Sequence, residues 1–302
     1  MISNTVLQKR INAAYKLLEH CRACPRMCGT NRLKNDKAGF CRSGLNPIIS
    51  SVNAHHGEEP PLSGTKGSGT IFFSNCNLSC VYCQNYPISQ MGNGVEKTHE
   101  ELASRMLWLQ EQECHNLNLV TPTHFMPQIL KSIGKARQHG FDLPIVYNTN
   151  GYESLEALRL LEGIVDIYLP DMRYSDEGLS MLYSAAPHYP EVNRRAVKEM
   201  QRQVGNLVID KNGLGKRGLI VRHLILPERI SGTEVIMKFL ADEISKDVYI
   251  SLMSQYFPAY KANNYKELSR RITAAEYEEA YLIMEKFGLE NGWIQEHERD
   301  TG

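Results

Sequence analysis

From residue 70 onward, short apolar runs alternate with longer stretches whose apolar residues recur at helical spacing. The runs are TIFFS (70–74), NLNLVTP (116–122), PIVYNTN (144–150), VDIYLPD (165–171), GLIVRHLILP (218–227) and VYISLMS (248–254). Helical patterns fall near 98–113, 126–139, 154–162, 176–184, 190–203, 232–245 and 273–287, the last opened by Thr273 and Glu276 at capping-box spacing. This alternation predicts a parallel sheet with crossover helices. The stretch 207–221 reads as a hairpin through Asn212-Gly213 that feeds the fifth strand, not as a further strand of the sheet. Six such units predict an α/β fold, a partial (β/α)6 TIM-like barrel, because a full eight-unit barrel takes about 250 residues.

The first 62 residues carry a different pattern. Val6, Ile11, Ala14, Leu17 and Leu18 give residues 4–20 roughly helical spacing. Beyond them Gly29, Gly39, Gly44, Pro47, Pro60 and Pro61 interrupt any period, which predicts a small cysteine-rich cap over 1–62 ahead of the barrel over 63–302. Polar residues gather where the predicted strands end: Asn75 and Cys76; Thr121, Thr123 and His124; Asn148, Thr149, Asn150 and Gly151; Asp171 and Arg173. In parallel α/β folds those carboxyl ends share one mouth. The segment His55-His56-Gly57-Glu58-Glu59-Pro60, ten residues ahead of the first strand, is rich in groups that bind or move protons and is expected over the same mouth.

Composition narrows the class. With 302 residues, 42% of them hydrophobic and 23% charged, the chain is long and apolar enough to bury a core. Thirty-four basic residues balance 34 acidic ones, so neither nucleic acid nor an anionic membrane is an expected partner. No apolar run nears the roughly 20 residues of a membrane span, and the N-terminus lacks the apolar core of a signal peptide, so a cytoplasmic location is expected. Seven of the eight cysteines lie within the first 83 residues, and in a reducing compartment such clustering favours metal ligands over disulfides. Cys114, at a helix-to-strand join, reads as a small buried apolar residue.

Cys76, Cys80 and Cys83 form C-x3-C-x2-C directly after the first strand. Three thiolates hold three irons of a [4Fe–4S] cubane and leave the fourth open, whereas closed structural sites take four protein ligands. The alternative on spacing alone is a zinc knuckle or a trio of buried thiols. Cys21, Cys24, Cys28 and Cys41 supply four ligands, enough for either zinc or a second [4Fe–4S] cluster.

The three-cysteine loop resembles that of the radical S-adenosylmethionine superfamily. The stretch GSGTIFFSNCNLSCVYCQNYPIS (67–89), with NLVTPTHF (118–125), VYNTNGYE (146–153), DIYLPDMRY (166–174), GLIVRHLILP (218–227) and SLMSQYFP (251–258), is similar to relatives of pyruvate formate-lyase activating enzyme that carry an N-terminal cysteine region. The likeness spans about residues 20 to 287. It implies a partial (β/α)6 barrel, a [4Fe–4S] cluster on Cys76, Cys80 and Cys83, and reductive cleavage of S-adenosylmethionine to a 5′-deoxyadenosyl radical that takes hydrogen from a substrate. An electron donor such as flavodoxin or ferredoxin follows from it, and so does a glycyl-radical enzyme as partner; a small molecule or a peptide is the other substrate class.

Position by position, Tyr82 matches an aromatic packed near the adenine. Thr149 and Asn150 match a T-N-G signature whose preceding Asp is here Asn148; Asp171 and Arg173 match D-x-K with Arg for Lys; Arg222 matches an Arg facing the cofactor carboxylate. Where the family carries GGEP to hold the cofactor's amino group, this chain has Thr121-Pro122-Thr123-His124. Thr hydroxyls and a neutral His nitrogen accept hydrogen bonds from an ammonium, while His124 as a mere helix cap is the plainer reading. No residue is assigned as a general acid or base. A third function class, a non-catalytic iron–sulfur or zinc scaffold, would have no use for these strand-end residues.

Overall fold

The computed structural model describes residues 2–294. Its strands are β1 (Ile48–His55), β2 (Ser68–Phe73), β3 (Val95–Glu96), β4 (Leu117–Val120), β5 (Ile145–Thr149), β6 (Ile167–Pro170), β7 (Val208–Ile209), β8 (Gly215–Leu224), β9 (Tyr249–Met253) and β10 (Gly292–Ile294). The sheet runs β10-β9-β8-β6-β5-β4-β2-β1-β3. The six expected strands, β2, β4, β5, β6, β8 and β9, thus lie side by side in chain order, every pair parallel. Winding in one direction with a helix at each crossover gives a partial (β/α)6 barrel, open between β10 and β3.

The crossover helices lie where periodicity placed them: His99–Glu111, Met126–Arg137, Leu155–Leu161, Glu177–Ser184, Tyr189–Val204, Thr233–Phe239 and Ala274–Lys286. Thr273 and Glu276 close both halves of the capping box. β7 pairs antiparallel with β8 as a hairpin leg. All residues of β5 and β6 are buried, as expected for strands covered on both faces. Tyr147 and Tyr168 look toward the helices, whereas Val146, Ile167, Leu169 and Ile220 fill the barrel interior around Leu62.

The first helix, Asn4–Lys16, buries Leu7, Ile11 and Ala14. Leu7, not Val6, starts the packed stripe, because 7, 11, 14 and 18 follow one face whereas Val6 points to solvent with 39% of its surface exposed.

Three strands escaped the sequence pattern. β3 is two residues long, β10 is three, and β1 alternates weakly, with only Ile49 buried along it. β1 changes where the His55–Pro60 segment goes. It runs antiparallel to β2, with Ile49 opposite Phe73 and His55 opposite Ser68, so the chain leaves it at the amino ends of the parallel strands. The helical turn Pro60–Ser63 then enters the barrel from below; Leu62 is fully buried, and Asn116 Nδ2 donates to its carbonyl at 2.8 Å. The segment expected over the mouth forms the floor instead.

Candidate active site

The three-cysteine loop begins with a sharp turn. Asn75 adopts φ 67°, a left-handed conformation that Asn tolerates, and its N–H is fixed to the Ile88 carbonyl at 3.0 Å. Cys76, Cys80 and Cys83 then line a cavity of about 570 Å³ at the carboxyl ends of the strands, a size suited to a small-molecule ligand. Each sulfur meets hydrogen-bonding groups. Leu78 N–H and Asn150 Nδ2 approach Cys76 Sγ at 3.3 and 3.4 Å, Arg173 Nη1 and Ser184 Oγ approach Cys80 Sγ at 3.3 and 3.0 Å, and the Ser89 hydroxyl lies 3.1 Å from Cys83 Sγ.

This donor set fits thiolates on a cubane. A cubane seats each thiolate on a different iron and leaves the sulfurs open to such donors. Burial, reinforced by neighbouring Cys80, lifts the Cys76 thiol to about 12, so iron binding there must release a proton.

Below the cysteines a chain of alternating charges leads into the barrel. Arg173, whose Nη1 points at Cys80, also gives Nε and Nη2 to Asp171 Oδ2 at 3.1 and 2.5 Å. Arg222 donates Nε to Asp171 Oδ1 at 2.8 Å and Nη2 to Asn148 Oδ1 at 2.6 Å. Burial alone would raise the Asp171 carboxyl, but Arg222 and Arg173 together hold it below its ordinary range. Arg222 Nη1 in turn stands 3.9 Å from Glu58 on the floor. Asn148, in the place of the family's Asp, accepts from Arg222 without adding a charge. Gly151 sits where nothing larger fits: at φ 75° a Cβ would stand 2.1 Å from Asn193 Nδ2 and 2.5 Å from the Asp171 carbonyl. Thr121, also on the cavity wall, holds φ 58°, a rare state for a β-branched residue and a mark of stored strain.

Residues 70–210 match the Radical SAM superfamily. This stretch is similar to radical SAM domains. The match implies a [4Fe–4S] cluster, S-adenosylmethionine and a reductant. The whole chain is similar to the uncharacterized protein MJ0674 of Methanocaldococcus jannaschii, 29% identical over 299 residues that cover 96% of this chain and 81% of the relative. Among solved structures it is similar to a domain of pyruvate formate-lyase activating enzyme from Bacteroides vulgatus (TM-score 0.38, 12% identity, 54% of this chain and 87% of that one). A radical SAM methyltransferase from Sphaerobacter thermophilus aligns with TM-score 0.49 and 13% identity over 75% of this chain and 65% of that one.

The strand-end cavity gathers most of the residues singled out from the sequence: Cys76, Cys80, Cys83 and Thr121, then Asn148, Thr149 and Asn150, then Asp171, Arg173 and Arg222. Tyr82, His124 and Thr123 lie outside its lining, as do the cap cysteines. Tyr82 is buried behind the loop, its hydroxyl 2.6 Å from that of Tyr174 and its ring edge-on to Tyr256. His124 is buried too. Its Nε2 lies 2.8 Å from the Ser74 carbonyl, which can only accept, so Nε2 carries the hydrogen and Nδ1 is left without a partner. Burial pushes His124 down to about 3, and the ring stays neutral. Thr123 gives its hydroxyl to Glu153 at 2.5 Å.

Glu153 was not singled out, although it closes the VYNTNGYE stretch. Its carboxyl is wholly buried, bonded to Thr123 and Thr149, and burial lifts it to about 7 against those hydroxyls. Its signal in the sequence was a lone acid four residues past Thr149 in an otherwise neutral run.

The cap cysteines form a separate group. Cys21, Cys24 and Cys41 are buried and Cys28 is exposed, and burial raises the Cys24 thiol further with Cys41, Cys21 and Cys28 all adding to the effect. Arg26 ties this group to the radical loop: its Nε donates to the Asn77 carbonyl at 2.9 Å, and its guanidinium lies 3.6 Å from the centre of the Phe40 ring. Asn77 in turn receives Asn150 Nδ2 at 2.7 Å.

Proposed function

We propose that the chain cleaves S-adenosylmethionine reductively at a [4Fe–4S] cluster on Cys76, Cys80 and Cys83, and that it takes hydrogen from a substrate held in the same cavity. The observation that carries this reading is the convergence of three thiols with hydrogen-bond donors on one strand-end cavity. When bound, the cluster and S-adenosylmethionine supply one-electron cleavage of the sulfonium and a 5′-deoxyadenosyl radical; the protein's share is position and exclusion of water. Arg173 orients Cys80, Asp171 keeps Arg173 and Arg222 from turning away, and Arg222 offers a fork suited to a carboxylate. Thr121 and Asn148 supply polar groups for the rest of the cofactor.

Of the two substrate classes, a small molecule or peptide side chain is favoured over a glycyl residue. The cavity reaches down to Glu58 and Glu59, and a glycyl backbone brings no positive charge to meet them. At the cap, Cys21, Cys24, Cys28 and Cys41 are proposed to hold zinc or a second [4Fe–4S] cluster, and the buried state of three of the four supports it.

The test is anaerobic reconstitution with iron and sulfide, then reduction with and without S-adenosylmethionine, read by electron paramagnetic resonance and by 5′-deoxyadenosine. A reduced-cluster signal that shifts with S-adenosylmethionine is expected, and Cys80→Ala should lower 5′-deoxyadenosine at least a hundredfold with the fold retained. Undiminished cleavage in that variant would reject the assignment. Iron or zinc that survives in a Cys76/Cys80/Cys83 triple Ala variant locates the cap metal.

A further inference from the structure

The floor of the barrel holds an acid with one carboxyl oxygen that no donor of the protein meets. Glu59 is 8% exposed, lines the cavity, and its Oε2 is buried without a hydrogen-bond partner. Glu58, its side chain 9% exposed, faces the same space. Arg173 and Arg222 both bond Asp171, Arg222 approaches Glu58, and Glu58 and Glu59 interact with each other, so the acid pair has one cation, already shared with Asp171, to answer it. A buried carboxylate oxygen left unpaired is destabilising, and a matching donor removes that cost. Asn118, in register with Thr70 and Val146, likewise leaves both amide atoms buried and unpartnered.

The acid pair is also remote from the cysteines. Between Cys80 and Glu58 lie Arg173, Asp171 and Arg222 in sequence, and the segment that carries the pair enters from the amino ends of the strands. Trp293 stands on the cavity wall, a π-face well suited to a cation.

We infer that Glu59, together with Glu58, forms a floor subsite for a nitrogen cation, an alkylammonium or a guanidinium, on a small-molecule substrate whose far end reaches up to the cofactor. This deepens the radical reading by naming a substrate class and rests on it for the chemistry, though the binding does not depend on it.

The test is isothermal titration calorimetry on the cluster-loaded full chain with butylamine, butylguanidine, butanol and butyrate, followed by the cations in the presence of S-adenosylmethionine. Saturable binding of one or both cations is expected, with none by butanol or butyrate. Glu59→Gln should weaken it at least tenfold; Glu59→Asp, which keeps the charge, should stay within a few-fold of wild type. If Glu59→Gln does not fold by circular dichroism, Glu58→Gln decides, with a several-fold loss expected. The inference is overturned by absence of cation binding, by equal binding of butanol, by indifference to these substitutions, or by competition with S-adenosylmethionine, which would make the pair a holder of the cofactor's ammonium. Cation binding without 5′-deoxyadenosine formation would sink the radical reading and leave the subsite standing; 5′-deoxyadenosine without cation binding would do the reverse.

Discussion

Glu153 shows how one side chain couples the site to stability. Its folded-state carboxyl titrates near 7 because of burial, while an exposed glutamate does so at 4.5. A carboxyl raised on folding stabilises the protein fully below the unfolded value and loses that contribution as pH climbs through the folded one. Wild type should therefore give up roughly 3 kcal/mol at this position between pH 4.5 and 8. Glu153→Gln, which keeps the hydroxyl contacts without the charge, should remove that slope. Denaturant midpoints for both proteins at pH 5 and pH 8 check it, and parallel pH dependences would refute it. At this scale the sequence was informative wherever chemistry follows from spacing, as in Cys76, Cys80 and Cys83. It said little of Glu153, whose environment is made by Thr123 on another strand's end, or of Tyr82 and His124, whose burial depends on Tyr174, Tyr256 and Ser74.

Among elements, strands buried on both faces announced themselves as apolar runs, so β4, β5, β6, β8 and β9 were legible. β1 was not, because an edge-side strand with one buried residue has too little apolar signal, and its direction depends on pairing with β2. That single orientation decided whether Glu58 and Glu59 lie above or below the mouth. The turn after β5 is the least forgiving join. Gly151→Ala would face both a positive φ and the Asn193 amide, so a loss of about 2 kcal/mol or more is expected in equilibrium unfolding, with Asp171 displaced through its carbonyl. A variant as stable as wild type would show that the turn relaxes freely.

For the whole molecule, the division at residue 62 cuts through packing. Leu62 seals the interior against Val146, Ile167, Leu169 and Ile220, and β1 covers an edge of β2. Burying such a leucine contributes about 2 kcal/mol before any cavity forms. A fragment of residues 63–302 should therefore fail to give a cooperative thermal transition, even with the radical cysteines all present; a sharp transition would show a barrel independent of its cap. The long-range contacts of Arg32 with the His124 carbonyl at 2.6 Å and of Arg26 with Asn77 point the same way.

The position of Leu62 also bears on synthesis. The plug of the barrel is made before its walls, and its packing partners arrive only when Ile220 has left the ribosome. At roughly 5–20 residues per second that wait is on the order of ten seconds. During it an apolar residue beside two acids must stay uncovered without engaging a wrong neighbour. The acid pair on the barrel floor thus also gives Leu62 a soluble flank while the chain is unfinished.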